Sequence, residues 1–495
     1  MTWIVIGPRP AVRASTTTSL RLREVAMKAE TGREGRALNL AVNVCSRLFS
    51  VCIEAWRKLP RKHRSYRKSG RIAMPKQTER RRDNQQWMLD WIVKTTGRVQ
   101  NFAYDNRVVP PEVKSYAQIH RVVDKHARHV LAIAEAAEKA GHTKTAAELY
   151  WVASEHYREA QHTIFEDDNP EKIYLHGMLL KCFDKVMEHA SHPIERVEIP
   201  FEGNYIQGVL HMVPGAEKAP TVVFCPGMDM TKEAFVDALS HPFVNRGLNC
   251  LHLDGPGQGT SNIRKIRVTL DNYERAGSAA IDYLCDRPEV DPDRIAVSGF
   301  SMGSYWGMRM AARDDRVKAV ATAAACYGPK TAIFEQASPR FKQVFMYMAG
   351  IHDEDAFDEF ASQMVLDDVA ADVKCPALQV TGEYDPLAPL ETVLPIYEKV
   401  PAPKELWVIE NDFHNPRNRP NFGGIDFYGY LADWINDVFA GKIADDHQRE
   451  ILVPERTGNG PYVPQVEGGF NLPERVGAPA GLSDAQKGPA GVKGG

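Results

Sequence analysis

The sequence predicts a doubly wound, mostly parallel α/β sheet entered from an all-helical N-terminal region. Two observations carry this expectation. From Ile194 onward, short apolar runs recur, each closed by a glycine-bearing turn and followed by a helical pattern. Strands buried on both faces and alternating with helices build a parallel sheet. Before them, from about Asn84 to Ser191, apolar residues fall at three- and four-residue spacing, the period of a helix face. A third observation limits the class: no run approaches about 18 uninterrupted apolar residues, so no membrane span is expected.

The N-terminal 1–83 segment stands apart by charge. Residues 1–82 hold 20 Lys and Arg against 5 acids, which leaves the other 413 residues strongly acidic within a chain of net charge −3. The basic run Trp56–Arg82 reads either as an electrostatic footprint for nucleic acid or acidic membrane, or as a solvated extension. No fold signal surrounds it, which favours a disordered extension, and no nucleic-acid partner is expected. The extreme N-terminus is Arg- and Ser/Thr-rich and acid-poor, as transit peptides are, and lacks the long apolar core of a secretory signal.

Residues 84–193 read as a helical domain. "IHRVVDKHARHVLAIAEAAEKAGHTKTAAELYWVASEHYREAQHTIF" is an antiparallel hairpin interrupted at "AGHT", where Gly141 can close the first helix. It is like a tetratricopeptide unit, but only one unit is visible and a solenoid needs about three. A lid is the better reading.

Residues 194–442 read as the catalytic domain. "IERVEIPFEGNYIQGVLHMVP" alternates and turns at "EGN", an antiparallel pair. "APTVVFCPG", "GLNCLHLDGPGQG", "RIAVSGFSMG", "KAVATAAACYG", "PALQVTGEYD" and "ELWVIEND" supply the further strands. Residues 443–495, rich in Gly and Pro, read as a flexible tail with too few apolar groups to offset the entropy of ordering it. The eight cysteines are scattered without a C-x-x-C pair, which points to reduced, mostly buried thiols, a cytoplasmic protein, and no zinc site.

Chemistry in such sheets gathers at the carboxyl ends of the strands. "GFSMG" lies where a strand turns into a helix. A serine there takes a strained conformation that lifts its Oγ clear of the sheet, and small residues at Gly299 and Gly303 avoid collision with strand and helix. Ser301 is the candidate nucleophile. It needs a base and an orienter, expected in the chain order Ser…Asp/Glu…His. Asp385 follows a strand in "VTGEYDPLAP", and His414 follows the next in "IENDFHNPRNRP". His352 is the other histidine in this stretch but follows no strand. Glu383 and Asp412 are rival acids; Asp412 is too near His414 in sequence to reach back to its Nδ1. Backbone N–H groups of Met302, after the nucleophile, and Met228, in "FCPGMDM", are the candidate oxyanion donors.

Together "CPGMDMTKEAF", "LDGPGQGTS", "GFSMGSYWG", "TGEYDPLAP" and "DFHNPRNRP" resemble the α/β-hydrolase superfamily. The order of helical region then sheet, with "PGMDMTKE", resembles the helical-lid branch that contains 2,6-dihydroxypseudooxynicotine hydrolase, with FrsA-like and polyketide-shortening pigment hydrolases related. The resemblance covers about Asn84 to Lys442. It implies C–C hydrolysis of a small aryl ketone or polyketide-like carbonyl compound without metal or organic cofactor, and leaves a homodimer open. It also implies a role for Glu335, in "GPKTAIFEQASPRF", as an acid or substrate-orienting carboxylate, against the reading of a solvated lid-edge residue. Ester or thioester cleavage, a prolyl-oligopeptidase-like peptidase, and a non-catalytic protein on a hydrolase scaffold are the alternatives. A short helical region where such peptidases carry a propeller speaks against the second, and an intact Ser/Asp/His set against the third. Whether Ser301 forms an acyl-enzyme, or acts with His414 to activate water, stays open.

Overall fold

The computed structural model describes residues 110, 112–228, 230–234, 236–401, 403–414 and 420–455. The basic extension, residues 84–109 of the expected helical region and residues 456–495 of the expected tail lie outside them.

Among the described residues three α-helices lead: α1 (Ile119–Lys139), α2 (Thr143–Gln161) and α3 (Pro170–His189). In α1 the buried residues are Ile119, Val123, Ala127, Leu131 and Ala134, one stripe at helical spacing. Gly141 turns the chain at φ 78°, within the "AGHT" break. Among the described residues the region is thus a three-helix layer, one helix more than the hairpin. Asn169 caps α3 by accepting from the N–H groups of Glu171 and Lys172 at 2.9 and 3.1 Å, and Pro170 follows it. The layer's apolar core continues onto Val209 and Ala238.

Among the described residues the sheet holds nine strands: β1 (Ile194–Phe201), β2 (Asn204–His211), β3 (Ala219–Cys225), β4 (Asn249–Asp254), β5 (Val290–Phe300), β6 (Val317–Ala323), β7 (Ala377–Gly382), β8 (Lys404–Ile409) and β9 (Gln448–Val453). Their order is β1-β2-β4-β3-β5-β6-β7-β8-β9, antiparallel at β1/β2 and β2/β4 and parallel elsewhere. The β1–β2 turn falls on Glu202 and Gly203, both at positive φ, the geometry "EGN" suggested.

Period-two burial separates two cores. Val223, Cys225 and Val297 face the side covered by α5 (Asn272–Cys285), α6 (Met302–Arg313), α7 (Pro339–Ala349), α8 (Glu354–Ser362) and α9 (Leu390–Lys399). Val222, Phe224 and Ala296 face the side covered by α10 (Tyr428–Phe439). A short helix, α4 (Gly259–Ile263), follows β4.

One expectation is corrected here. Residues 448–453 were expected within a flexible tail beginning at 443, yet they form β9 and pair in parallel with β8 from Lys404↔Gln448 to Ile409↔Val453. Ile451 and Val453 are buried and cover the β8 edge. Six described cysteines are free and five of them buried, as expected of reduced thiols. Among the described residues, no helix is long and apolar enough to cross a membrane.

Candidate active site

At the end of β5 the chain reverses through Ser301, whose φ of 55° and ψ of −125° are strained for a non-glycine residue. Its surroundings fix that geometry. The Ser301 N–H donates to the Ala323 carbonyl at 2.9 Å. Ser304 Oγ donates to the Ser301 carbonyl at 2.5 Å and accepts from Cys326 N–H at 2.9 Å. Both flanking glycines are required by close approach. A Cβ at Gly299 would lie 2.1 Å from the Gly303 carbonyl oxygen, and one at Gly303 would lie 2.0 Å from that of Cys225.

Asp385 and His414 sit on the loops after β7 and β8. His414 Nε2 lies 2.8 Å from Ser301 Oγ, and its Nδ1 lies 2.8 and 3.0 Å from Asp385 Oδ2 and Oδ1. Asp385 is buried, and its Oδ1 also accepts from the N–H groups of Leu387 and Ala388 at 2.8 and 3.1 Å. The two loops are joined by Tyr384 N–H donating to the Asp412 carbonyl at 2.9 Å. Gly382 permits this approach, since a Cβ there would lie 2.1 Å from the Phe413 carbonyl oxygen.

Of the rival acids, Glu383 accepts from the Asn411 N–H at 3.0 Å, and Asp412 is buried in the same loop as His414. His352 is exposed between α7 and α8. Cys326 Sγ lies 3.7 Å from Ser301 Oγ, but burial, with the Asp385 charge, pushes its thiol well above the usual range, so it stays protonated. Glu335 ends a π-helical turn, Lys330–Glu335, with its side chain exposed.

Met302 opens α6, so its N–H is one of those without an acceptor inside the helix. The Met228 N–H is oriented by a residue that motif reading missed. Gln258 Nε2 donates to the carbonyls of Gly227 at 2.7 Å and Pro226 at 3.3 Å. Tyr273 Oη in turn donates to Gln258 Oε1 at 2.6 Å, and Tyr273 stacks on Trp306 with ring centroids 4.0 Å apart. In a trans peptide the carbonyl and N–H point opposite ways. Anchoring the Gly227 carbonyl on Gln258 therefore turns the Met228 N–H away from Gln258. A Cβ at Gly227 would stand 3.4 Å from Ser301 Cβ, so this turn runs alongside Ser301.

Behind the turn lies a wholly buried charge network. Lys232 Nζ contacts Glu233 Oε1 at 2.7 Å, Asp254 Oδ2 at 3.0 Å and Thr260 Oγ1 at 3.1 Å. Burial pulls the Lys232 pKa down, and the Asp254 and Glu233 charges more than offset it, so the amine stays protonated. His176 of α3 bonds Thr260 Oγ1 at 3.1 Å, which ties the helical layer to this network.

The FrsA-like esterase family model matches residues 116–353. The hydrolase LUC6 of a Fusarium species is 28% identical over 371 residues, 64% of this chain and 86% of that protein. A 2,6-dihydropseudooxynicotine hydrolase of Paenarthrobacter nicotinovorans is 27% identical over 312 residues, 61% of this chain and 80% of that protein. The crystal structure of a 2,6-dihydroxy-pseudo-oxynicotine hydrolase superposes with a TM-score of 0.58 at 25% identity, covering 70% of this chain and 94% of that one.

Proposed function

Since this chain is an α/β-hydrolase similar to the FrsA-like esterases and to a 2,6-dihydropseudooxynicotine hydrolase, we propose that it is a serine hydrolase of a small carbonyl substrate, with Ser301, His414 and Asp385 as its triad. The observation that carries this reading is the continuous chain of contacts from Asp385 through His414 Nδ1 and Nε2 to Ser301 Oγ, at 2.8 Å on each side of the imidazole.

In the reading we favour, Ser301 Oγ attacks the carbonyl carbon while its proton passes to His414 Nε2. Asp385 accepts the Nδ1–H bond and steadies the imidazolium. The negative oxygen of the tetrahedral intermediate accepts from the Met302 and Met228 N–H groups, beside the positive end of α6. His414 then gives its proton to the leaving group, and water, deprotonated by His414, releases the acid. In C–C hydrolysis the leaving atom is a carbon that must take a proton, and Glu335 is the carboxylate assigned to that help. The alternative route has Ser301 and His414 activate water directly. The helices α1–α3 form the lid over the site. The bond cut is proposed to be a C–C bond of an aryl ketone or polyketide-like compound, with ester or thioester cleavage as the second reading, favoured by the family description.

Labelling with a fluorophosphonate, then profiling on aryl esters, thioesters and acyl-phenol ketones, tests both levels. A Ser301 adduct is expected, and Ser301→Ala should lose about 10³-fold or more of the activity. Wild-type protein that takes no label and turns over no carbonyl substrate would leave only a hydrolase scaffold. Glu335→Gln is expected to reduce ketone cleavage far more than ester cleavage; equal losses would remove Glu335 from the mechanism.

A further inference from the structure

Away from the triad, four histidines are gathered where the helical layer meets the sheet. His192 lies between α3 and β1, His211 ends β2, His252 is on β4, and His241 lies between β3 and β4. None is more than 7% exposed. The rings of His211, His241 and His252 have centroids 4.4–5.2 Å apart, and Phe224 and Phe243 pack beside them. His241 Nε2 lies 3.0 Å from His252 Nε2, and His192 Nε2 lies 2.9 Å from His211 Nδ1. Burial holds all four below the ordinary histidine range, His252 at about 4, so the rings are neutral and each keeps a lone pair.

We propose that His211, His241 and His252, with His192 beside them on His211 Nδ1, form a binding site for a divalent transition metal of the zinc class. One ring nitrogen from each of the first three falls within 4.8 Å of the others. Tetrahedral zinc at about 2.0–2.1 Å from each nitrogen needs ligand nitrogens about 3.4 Å apart. That separation lies between the hydrogen-bonded spacings and the outer limit of the group, so small ring movements make the site.

The chemistry of the donor set agrees. Neutral imidazole suits zinc, copper and nickel, whereas hard calcium or magnesium needs oxygen. His252 also bonds the main chain of Lys232, and the Glu233 charge favours positive charge at its ring. Metal-bound histidines are ordinarily held in this way through their other nitrogen. The metal would join the β3–β4 connection, at His241, to sheet strands at His211 and His252, with one position of the tetrahedron left for water. The proposal is independent of the hydrolase reading.

The test uses full-length protein produced in zinc-supplemented medium, desalted and assayed for metal, with Co²⁺ replacement followed by visible absorption. About one metal ion per chain and the absorption of tetrahedral cobalt are expected. His252→Gln should lower retained metal at least tenfold, by analogy with about 10–100-fold losses on disturbing supporting groups alone. Ser301→Ala should retain it. His189→Ala is a control for the Glu138, Glu188 and His189 group, a second cluster of ligand type, and should also retain metal. Wild-type protein that retains no zinc and gives no cobalt spectrum would overturn the site whatever the variants do. So would loss of metal in His189→Ala with full retention in His252→Gln.

Discussion

At Gln258, one side-chain amide holds the carbonyls of Pro226 and Gly227 while Tyr273 holds the amide. In the proposed mechanism it is a positioning residue, because it sets the direction of the Met228 N–H without reaching the reacting atoms. Gln258→Ala is expected to lower kcat about 10- to 100-fold and leave KM within about threefold, since one misaligned oxyanion donor affects chiefly the transition state. Gln258→Glu keeps the shape but, ionised, cannot donate, and should not restore the rate. Wild-type kcat in Gln258→Glu would show that packing alone matters. Ser301, Asp385 and His414, the proposed triad, could be picked out because each occupies a recognisable place, one at a strand–helix turn and two on loops after strands. Gln258 could not, because its bond to Gly227 spans 31 positions and depends on how two turns meet. The histidine cluster was likewise hidden, since positions 192, 211, 241 and 252 share no spacing motif.

Among the elements, the β5–α6 junction shows how tightly Ser301 is framed. A methyl group at position 303 would press on the Cys225 backbone at 2.0 Å, which cannot swing aside as a side chain can. One at Gly307, further along the same helix, would meet Val297 Cγ1 at 3.3 Å. Gly303→Ala should therefore cost about 1–3 kcal/mol of stability or more and most of the activity, whereas Gly307→Ala should fold with a much smaller change. Chemical unfolding and initial rates compare them; similar midpoints for the two variants would refute this account. The strands β1–β8 were readable, β1 and β2 by alternation about the "EGN" turn and β3–β8 as short apolar runs ending in turn residues. The ninth was not: in "QREILV" only Ile451 and Val453 are buried, and the acidic pair Asp445 and Asp446 precedes it. Pairing with β8, a tertiary event, makes it a strand. The three-helix layer was legible by period, but a hairpin description left α3 out because packing, not spacing, joins it to the others.

Over the whole molecule, the helical layer and the sheet share the His176–Thr260–Lys232 link, which makes stability depend on pH. Burial, with the Lys232 charge, holds His176 at about 3. In the unfolded chain it would take up a proton near 6.5. The folded state thus binds fewer protons, so this contribution is complete above about pH 6.5 and is lost as pH falls toward 3. The slope is at most about 1.4 kcal/mol per pH unit. Denaturant unfolding of wild type and His176→Gln between pH 7 and 5 should show a shallower decline in the variant; parallel declines would mean that His176 is not the group responsible. The ninth strand carries a separate consequence. Because β9 runs parallel to β8, it delivers the chain to the same edge of the sheet as Ser301, and Glu455 is fastened there by its N–H to Glu410 Oε2 at 2.8 Å and by Asn411 at 3.1 Å. A purification handle or reporter fused directly to Glu455 would therefore start next to the loop that carries His414 instead of on the molecule's remote side.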